Sequence, residues 1–146
     1  MNPDHIRPIV IGIFKNEDKI LVGEYYDPVN TSVFYRPLGG GLKFGEHSKD
    51  CLIREIKEEM GTKIKIKNIR YAGVIENIFW YRGDPGHEIV LVYYADFVEP
   101  EIYTREKMVC ADDESEFLAV WKSLSEFRSH LVLYPEGLLD LLDENE

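Results

Sequence analysis

One segment constrains the fold of this chain more than any other. It runs from Gly39 to Gly61 and reads GGGLKFGEHSKDCLIREIKEEMG. A glycine-rich loop leads into a helix for which Ser48 is the predicted N-cap. The helix is predicted to end at Glu59 or Met60, where Gly61 follows as the C′ glycine. Apolar residues at helical spacing predict a face that packs on a core: Leu52, Ile53, Ile56 and Met60.

Three glutamates share another side of this helix, because Glu55, Glu58 and Glu59 are spaced i, i+3 and i+4. Helical glutamates usually form a solvated surface. Here Glu58 and Glu59 occupy the last turn, where the helix dipole destabilises each carboxylate by about 0.3–1 kcal/mol. Repulsion adds roughly 2–3 kcal/mol per pair at an effective dielectric of ~20. A divalent cation would reverse both penalties, and Mg²⁺ takes oxygen ligands together with water and substrate phosphates.

The spacing of this segment resembles the Nudix box, G-x5-E-x7-R-E-U-x-E-E-x-G-U, where U is a bulky aliphatic residue. The matching residues are Gly40, Glu46, Arg54, Glu55, Ile56, Glu58, Glu59 and Gly61. Only the last position departs, where Thr62 replaces the aliphatic residue. The resemblance implies a pyrophosphohydrolase with the Nudix α/β/α sandwich, an α/β (α+β) fold with a mixed sheet.

The resemblance also implies roles at the site. Glu58 and Glu59 are expected as direct ligands of Mg²⁺, with Mn²⁺ as the alternative ion. Glu55 is expected to bind the metal or to orient the attacking water. A backbone carbonyl of Gly39 or Gly40 is a further expected ligand, because glycine lets the backbone approach an ion closely.

Arg54 completes the set of expected catalytic residues. Its implied role is structural: it would hold Glu46 or Glu55 through bidentate pairs. The resemblance further predicts an acidic group from the loop before the last strand. The candidates are Asp112, Asp113, Glu114 and Glu116, with Asp113 or Glu114 nearest in position. A solvated acidic loop is the alternative interpretation.

The substrate pocket is less constrained by the sequence. The candidate substrate-binding residues are Arg7, Tyr35, Arg36, His87, Glu88, Asp113 and Glu114. Aromatic residues that could line a base pocket are Tyr25, Tyr26, Tyr35, Phe79, Trp80 and Tyr81. Because aromatic residues on strands belong more often to the core, only a few of these are expected in the pocket.

Composition predicts one globular domain over residues 1–146, with 45% hydrophobic and 30% charged residues. No apolar run approaches the ~18 residues of a membrane span, and the N-terminus does not resemble a signal peptide. Cys51 and Cys110 are expected as reduced thiols in a cytoplasmic protein. The net charge of −10 argues against a nucleic-acid polymer as partner. A small nucleotide remains compatible, since metal ions bridge acidic sites to phosphates. A monomer or a homodimer is expected.

The remaining chain is predicted to alternate strands and turns. Strands are predicted over 7–14, 19–25, 33–37, 63–67, 69–79, 88–97 and 117–121, with an edge strand near Ile102. The strand over 88–97 is apolar enough to be central. Turns are predicted at 16–18, as a hairpin turn, and at 81–86. The tip of the second turn is predicted at 84–86. A short helix is predicted over 123–128, capped by Ser123 or Ser125, and a terminal helix over 135–142 with Pro135 at N1.

The predicted function is hydrolysis of a phosphoanhydride in a nucleoside diphosphate derivative. The short chain, without a further N-terminal domain, favours a (deoxy)nucleoside triphosphate cut to monophosphate and pyrophosphate. The alternatives are a nucleotide sugar such as ADP-ribose and a dinucleoside polyphosphate. A non-enzymatic nucleotide-binding regulator would be expected to lack box glutamates, and none is missing. A prenyl diphosphate isomerase would need a cysteine and an extra glutamate facing the pocket, and neither Cys51 nor Cys110 is placed convincingly for it.

Overall fold

The computed structural model of the protein describes residues 5–145. Its strands are β1 (Arg7–Ile13), β2 (Lys15–Asn16), β3 (Lys19–Asp27), β4 (Ser32–Pro37), β5 (Gly39–Gly41), β6 (Ile66–Tyr81), β7 (Asp84–Phe97), β8 (Lys107–Ala111) and β9 (Glu116–Ser123). Its α-helices are α1 (Ser48–Met60), α2 (Leu124–Ser129) and α3 (Leu138–Glu144), and a 3₁₀ turn spans Pro100–Thr104.

The strands form two sheets. The first has the order β5-β1-β7-β6, and the second has the order β2-β3-β9-β8, with β4 also paired to β3. Strands β1 and β7 run parallel while the other pairs are antiparallel, so the first sheet is mixed, as predicted. Strand β7 lies between β1 and β6, which confirms the prediction that the most apolar strand is central.

Two apolar cores lie on opposite sides of the sheets. Helix α1 contributes Leu52 and Ile56 to one core, where they pack with Val10 of β1. Helices α2 and α3 close the other core, which receives Ile9 and Ile11 from the same strand. Because successive strand residues point to opposite faces, β1 supplies both cores. This layering is the α/β/α sandwich that the family resemblance implied.

The helix of the glycine-rich segment ends at Met60, as predicted, and Gly61 follows with φ 126°. Its start differs from the prediction. His47 is the N-cap residue and its side chain makes no capping bond, whereas Ser48 is already helical. The Ser48 hydroxyl lies 2.5 Å from the hydroxyl of Tyr93 on β7. A tertiary hydrogen bond therefore takes the group that was expected to cap the helix.

Two predicted strands start or lie elsewhere. The strand predicted over 63–67 begins only at Ile66. The edge strand expected near Ile102 is β8, Lys107–Ala111, whereas Ile102 itself is fully buried in the 3₁₀ turn. Alternating charged and apolar residues thus predicted a strand that begins too early. The apolar character of Ile102 predicted a strand where the chain forms a 3₁₀ turn.

Turns and helix starts show similar shifts. The predicted turn at 16–18 joins β2 to β3, but the tip of the β6–β7 hairpin lies at Arg82 and Gly83, since Tyr81 pairs with Asp84. Both tip residues have positive φ, the requirement of a two-residue hairpin turn. Ser123 caps α2 through a capping box, as predicted. The terminal helix starts after Gly137, so the prediction of Pro135 at N1 is wrong.

Cys51 and Cys110 are buried free thiols. Within residues 5–145, no helix combines the length and the apolar character that crossing a membrane requires.

Candidate active site

A cleft of about 490 Å³ is lined by residues from both sheets, including β5 of the first sheet, and by Glu59 of α1. Its polar and glycine lining includes Arg7, Arg36, Gly39, Gly40, Glu59, Asn77, Glu88 and Asp112. Its aromatic lining consists of Tyr25, Phe34, Phe79, Trp80, Tyr81 and Tyr134. The cleft therefore combines carboxylates, cationic side chains and flat apolar surfaces.

Arg54 joins the glycine-rich loop to helix α1. Its Nε and Nη2 donate to the two carboxylate oxygens of Glu46 at 2.8 and 3.0 Å. Its Nη1 donates to Glu55 Oε1 at 3.0 Å and to Glu58 Oε1 at 3.2 Å, and Nη2 also donates to the Gly41 carbonyl at 3.0 Å. These bonds lower the pKa of Glu46 to about 2. The contacts match the structural role expected for this arginine.

Glu59 is the most deeply buried carboxylate of the helix, with 8% of its surface exposed. Its Oε1 accepts a hydrogen bond from the Gly39 N–H at 3.0 Å. Burial raises the pKa of Glu59 to about 8, and the nearby carboxylates of Glu55, Asp112 and Glu58 add to the increase. A single backbone N–H does not compensate this concentration of negative charge.

Glu55 lies directly against the glycine strand. A Cβ atom on Gly40 would stand 2.5 Å from the carboxyl carbon of Glu55, so only glycine leaves room for this carboxylate. Burial raises the pKa of Glu55, and the charges of Glu58 and Asp113 act in the same direction, while Arg54 opposes them. The close approach explains why a glycine precedes the helix at this position.

The carboxylates supply the hard oxygen donors that a magnesium-type cation prefers. The raised pKa of Glu59 indicates that its carboxylate lacks a counter-charge, whereas Glu55, whose pKa burial also raises, has Arg54 Nη1 at 3.0 Å. In the part of the chain that the structure describes, no three acidic, histidine or cysteine side chains converge closely enough to share one ion. Arg54 holds Glu55 and Glu58, whereas Glu59 is turned to Gly39. The donor chemistry thus fits a divalent cation, and binding one would require these side chains to reorient.

Three of the predicted substrate-binding residues line the cleft together. Glu88 is 3% exposed, and its Oε1 accepts a hydrogen bond from Arg36 Nη2 at 3.2 Å. Arg7 Nη1 lies 3.9 Å from the other oxygen. Because Arg36 belongs to β4 and Glu88 to β7, this contact joins the two sheets at the cleft.

Other predicted pocket residues lie outside the cleft, which corrects the prediction. Tyr35 is buried under helix α2, where its hydroxyl donates to Glu24 and its ring packs against Phe127. Its neighbours Phe34 and Arg36 face the cleft instead, as strand alternation requires. His87 contacts Glu76 at 3.2 Å, away from Glu88. Tyr26 is exposed and likewise does not line the cleft.

The acidic loop between β8 and β9 contributes a different residue from those preferred by the sequence. Asp112 lines the cleft, whereas Asp113 and Glu114 do not. Asp113 nevertheless lies close enough to raise the pKa of Glu55. Asp112 Oδ1 accepts the backbone N–H groups of Glu114 and Ser115 at 2.9 and 2.8 Å, which closes the loop. Which of several adjacent acids faces the site depends on this turn.

Sequence reasoning missed several residues of the cleft, above all Asn77, Phe34 and Tyr134. Phe34 had a usable signal, because it lies two residues before Arg36 on the same strand and therefore faces the same side. Glu76 and Asn77 interrupt the apolar stretch of β6, and a predicted pairing with β7 would have placed Asn77 beside Glu88. No comparable signal points to Tyr134.

Comparison with known proteins places this geometry in a family. A sequence profile of the NUDIX domain matches residues 4–141. The protein named NAD-capped RNA hydrolase NudC of Pseudomonas fluorescens is 32% identical over 111 residues, which are 76% of this chain and 34% of that protein. The protein of the same name in Photobacterium profundum is 28% identical over 95% of this chain and 46% of that protein. The chain thus spans less than half the length of these curated relatives.

Solved structures support the same fold. A NUDIX hydrolase from Nitrosomonas europaea matches with a TM-score of 0.67 at 18% identity, covering 97% of this chain and 88% of that one. A MutT NUDIX hydrolase from Burkholderia pseudomallei matches with a TM-score of 0.69 at 17% identity, covering 98% and 100%. At such identities the likeness establishes the shared architecture alone.

Proposed function

This chain belongs to the NUDIX hydrolase family, and we propose that its cleft hydrolyses a phosphoanhydride bond in a nucleoside diphosphate derivative with the help of Mg²⁺. The observation that carries the proposal is a buried and a half-buried carboxylate, Glu59 and Glu55, packed against the glycine strand. Their cleft also offers arginines for phosphate and aromatic rings for a base. A surface used only for stability would have no reason to concentrate negative charge there.

Hydrolases of this family generally use divalent metal ions. Here Glu55, Glu58 and Glu59 would hold the ion, with a backbone carbonyl of Gly39 or Gly40 as a further ligand. When bound, the metal would polarise a phosphate oxygen and lower the pKa of bound water. Mn²⁺, which takes similar oxygen ligands, is the natural substitute to test beside Mg²⁺.

The chain's own side chains would divide the remaining work. Arg54 positions the box carboxylates through its bonds to Glu46, Glu55 and Glu58. Glu55, held beside Gly40, would orient the attacking water if it does not bind the metal. Arg7 and Arg36 would contact the phosphates, because both line the cleft and remain 43% and 28% exposed.

Among substrates, the names of the relatives favour a dinucleotide with a pyrophosphate bridge. The NudC proteins of Pseudomonas fluorescens and Photobacterium profundum are named NAD-capped RNA hydrolases. NAD joins two nucleosides through such a bridge, so its hydrolysis gives two monophosphates. We therefore propose NAD-type dinucleotides, free or at an RNA 5′ end, as the first substrate class. The triphosphate preference stays a prediction from the sequence.

A substrate panel tests the proposal. The purified protein is incubated with Mg²⁺ or Mn²⁺ and NAD, ADP-ribose, diadenosine tetraphosphate, ATP, dGTP or a short NAD-capped RNA, and products are separated by ion-exchange chromatography. We expect NAD to yield two monophosphates. The Glu59→Gln variant, purified by the same procedure, is the control for contaminating activity. We expect it to cleave none of these compounds. If wild-type protein cleaves no compound with either metal, the proposed hydrolase activity is refuted; binding without cleavage would favour a regulator.

A further inference from the structure

Three polar side chains form a row across adjacent strands of the first sheet. Arg7 of β1 and Asn77 of β6 lie directly opposite Glu88 of β7, one on each side. Residues in direct register point to the same face of a sheet, and all three line the cleft. We call Arg7, Glu88 and Asn77 the polar row.

Asn77 is the member of this row without a partner. It is only 8% exposed, yet its carboxamide makes no hydrogen bond to any group within residues 5–145. Among the described residues, the only fully buried side-chain nitrogen or oxygen without a hydrogen-bond partner is Trp121 Nε1, so the amide atoms of Asn77 keep contact with solvent. What remains accessible of Asn77 opens into the cleft. Its donor and its acceptor are therefore available to a ligand that enters there.

Glu88 offers an acceptor next to this amide. Its Oε1 already accepts from Arg36 Nη2 at 3.2 Å. Its Oε2 lies 3.9 Å from Arg7 Nη1, which is beyond hydrogen-bond distance. An ionised carboxylate accepts hydrogen bonds and donates none. A ligand atom placed against Oε2 must therefore carry a hydrogen that it can donate.

The walls beside the polar row suit a planar ring. The centroid of Phe34 lies 6.0 Å from that of Tyr81 and 5.5 Å from that of Tyr134. The far end of the Phe79 ring lies against Gly86, where a Cβ atom would come within 2.3 Å of it. Aromatic rings stack on the flat face of any nucleobase, whichever base it is. Stacking would hold a base, and the polar row would then select among bases.

We infer that Asn77 and Glu88 together read the edge of the substrate's nucleobase and select a base that carries an exocyclic amino group. The inference rests on the proposed function and deepens it. Asn77 pairs with a ring nitrogen and its exocyclic neighbour, donating to one and accepting from the other. The remaining amino N–H donates to Glu88 Oε2. A base with an oxo group in place of the amino group would set one acceptor against another and leave both unsatisfied.

Matched pairs of substrates that differ only in the amino group test this selection. The first pair is NAD and nicotinamide hypoxanthine dinucleotide, and the second is ATP and ITP. We expect wild-type protein to show a kcat/KM at least about tenfold higher for the amino member, the range of one good paired contact. Because each ratio compares two substrates on one preparation, the fraction of folded protein cancels.

Variants then locate the selection. Glu88→Gln can turn its amide to donate to the oxo group, so the ratio is expected to fall to about one or to reverse. Asn77→Ala is expected to reduce the ratio as well. The matched control is Glu76→Gln, the same exchange on the neighbouring residue of β6, whose side chain contacts His87 away from the cleft. Its ratio should equal that of wild type.

Two results overturn the inference: a wild-type ratio near one, or a ratio that Glu88→Gln and Asn77→Ala leave unchanged. Failure of the proposed function is separable, because it would appear as no turnover of any substrate. In that event, calorimetric titration of the wild-type protein with AMP and with IMP replaces kinetics. Tighter binding of AMP that is lost in Glu88→Gln supports selection by the polar row, and equal binding of the two refutes it.

Discussion

At the scale of single residues, the site is a balance between one arginine and several carboxylates. Arg54 donates to Glu46, Glu55 and Glu58, and so provides a counter-charge to three of these carboxylates. Glu59 lies out of its reach and is stabilised by one backbone N–H instead. The glutamates that the sequence predicts as metal ligands thus differ in how their negative charge is compensated.

Replacing Arg54 by lysine should lower both stability and activity. Lysine cannot reproduce the bidentate pair with Glu46 while reaching Glu55, because its ammonium is a point charge. We expect a loss of about 1–2 kcal/mol in the free energy of unfolding, given the partial exposure of these groups. Urea titration of metal-free protein measures it. A variant as stable as wild type would show that the hydrogen bonds of Arg54 do not stabilise the fold.

Replacing Glu59 by glutamine should abolish turnover and leave metal-free protein at least as stable as wild type. The pKa of Glu59 is raised to about 8 from a usual value near 4.5. The folded state therefore binds more protons than the unfolded state between these values, and stability falls as pH rises from about 4.5 to 8. Glutamine removes this dependence and can still accept the Gly39 N–H.

The measurement is urea unfolding of both proteins at pH 5 and pH 8 in the presence of a chelator. Wild type should lose up to a few kcal/mol more than Glu59→Gln over this interval. Equal slopes for the two proteins would contradict the buried, under-compensated state of this carboxylate.

At the scale of secondary-structure elements, β5 and α1 act as one unit. The short glycine strand pairs with β1, and its backbone passes so close to α1 that Glu55 rests against Gly40. Helix α1 is held from the other side by Leu52 and Ile56, which are fully buried. The strand and the helix therefore fix the position of the carboxylates through backbone contact, which is stiffer than contact between side chains.

Exchanging single glycines of β5 for alanine tests this contact. In Gly40→Ala the new methyl would stand 2.5 Å from the carboxyl carbon of Glu55 and displace it. We expect kcat/KM to fall on the order of a hundredfold, the effect of a misplacement near 1 Å. Gly41→Ala is the control, because among residues 5–145 its methyl would meet Arg7 Nη2 alone, at 3.5 Å, which is an ordinary contact. Similar losses in both variants would contradict the proposed role of the close approach.

At the scale of the whole molecule, the cleft exists because the two sheets meet there. Arg36 from the second sheet donates to Glu88 of the first. The cleft is lined by Tyr25 and Phe34 from the second sheet and by Asn77 and Phe79 from the first. The apolar cores on either side hold the sheets in this relation. Ligands that bridge the carboxylates and the aromatic walls should therefore stabilise the entire fold.

Adding Mg²⁺ should raise the free energy of unfolding, and more at pH 8 than at pH 5. Ionised Glu55 and Glu59 bind a cation, whereas protonated carboxyls do not. At a Mg²⁺ concentration of about 100 times Kd, the expected gain is about 2.7 kcal/mol. Differential scanning calorimetry with and without chelator measures it, and Glu59→Gln should show little gain. A pH-independent effect of Mg²⁺ would argue for a site elsewhere.

Much of helix α1 was predictable because it depends on local geometry. The periodicity of an α-helix places Glu55, Glu58 and Glu59 on one side whatever surrounds them. The apolar character of β7 and the Ser123 capping box of α2 are likewise readable from neighbouring residues. The same reasoning misjudged the start of α3, where a left-handed Gly137 competes with the more familiar signal of Pro135.

The sequence by itself determined the family motif, the helix that carries the carboxylates and the central strand. Only the tertiary structure decided which side chains share the cleft: Asn77 beside Glu88, Asp112 rather than Asp113, and Phe34 and Arg36 rather than Tyr35. Helical spacing follows from the covalent chain, so a short segment suffices to predict it. Strand register and the meeting of two sheets depend on contacts between residues far apart in sequence, whose free energies no single segment reveals.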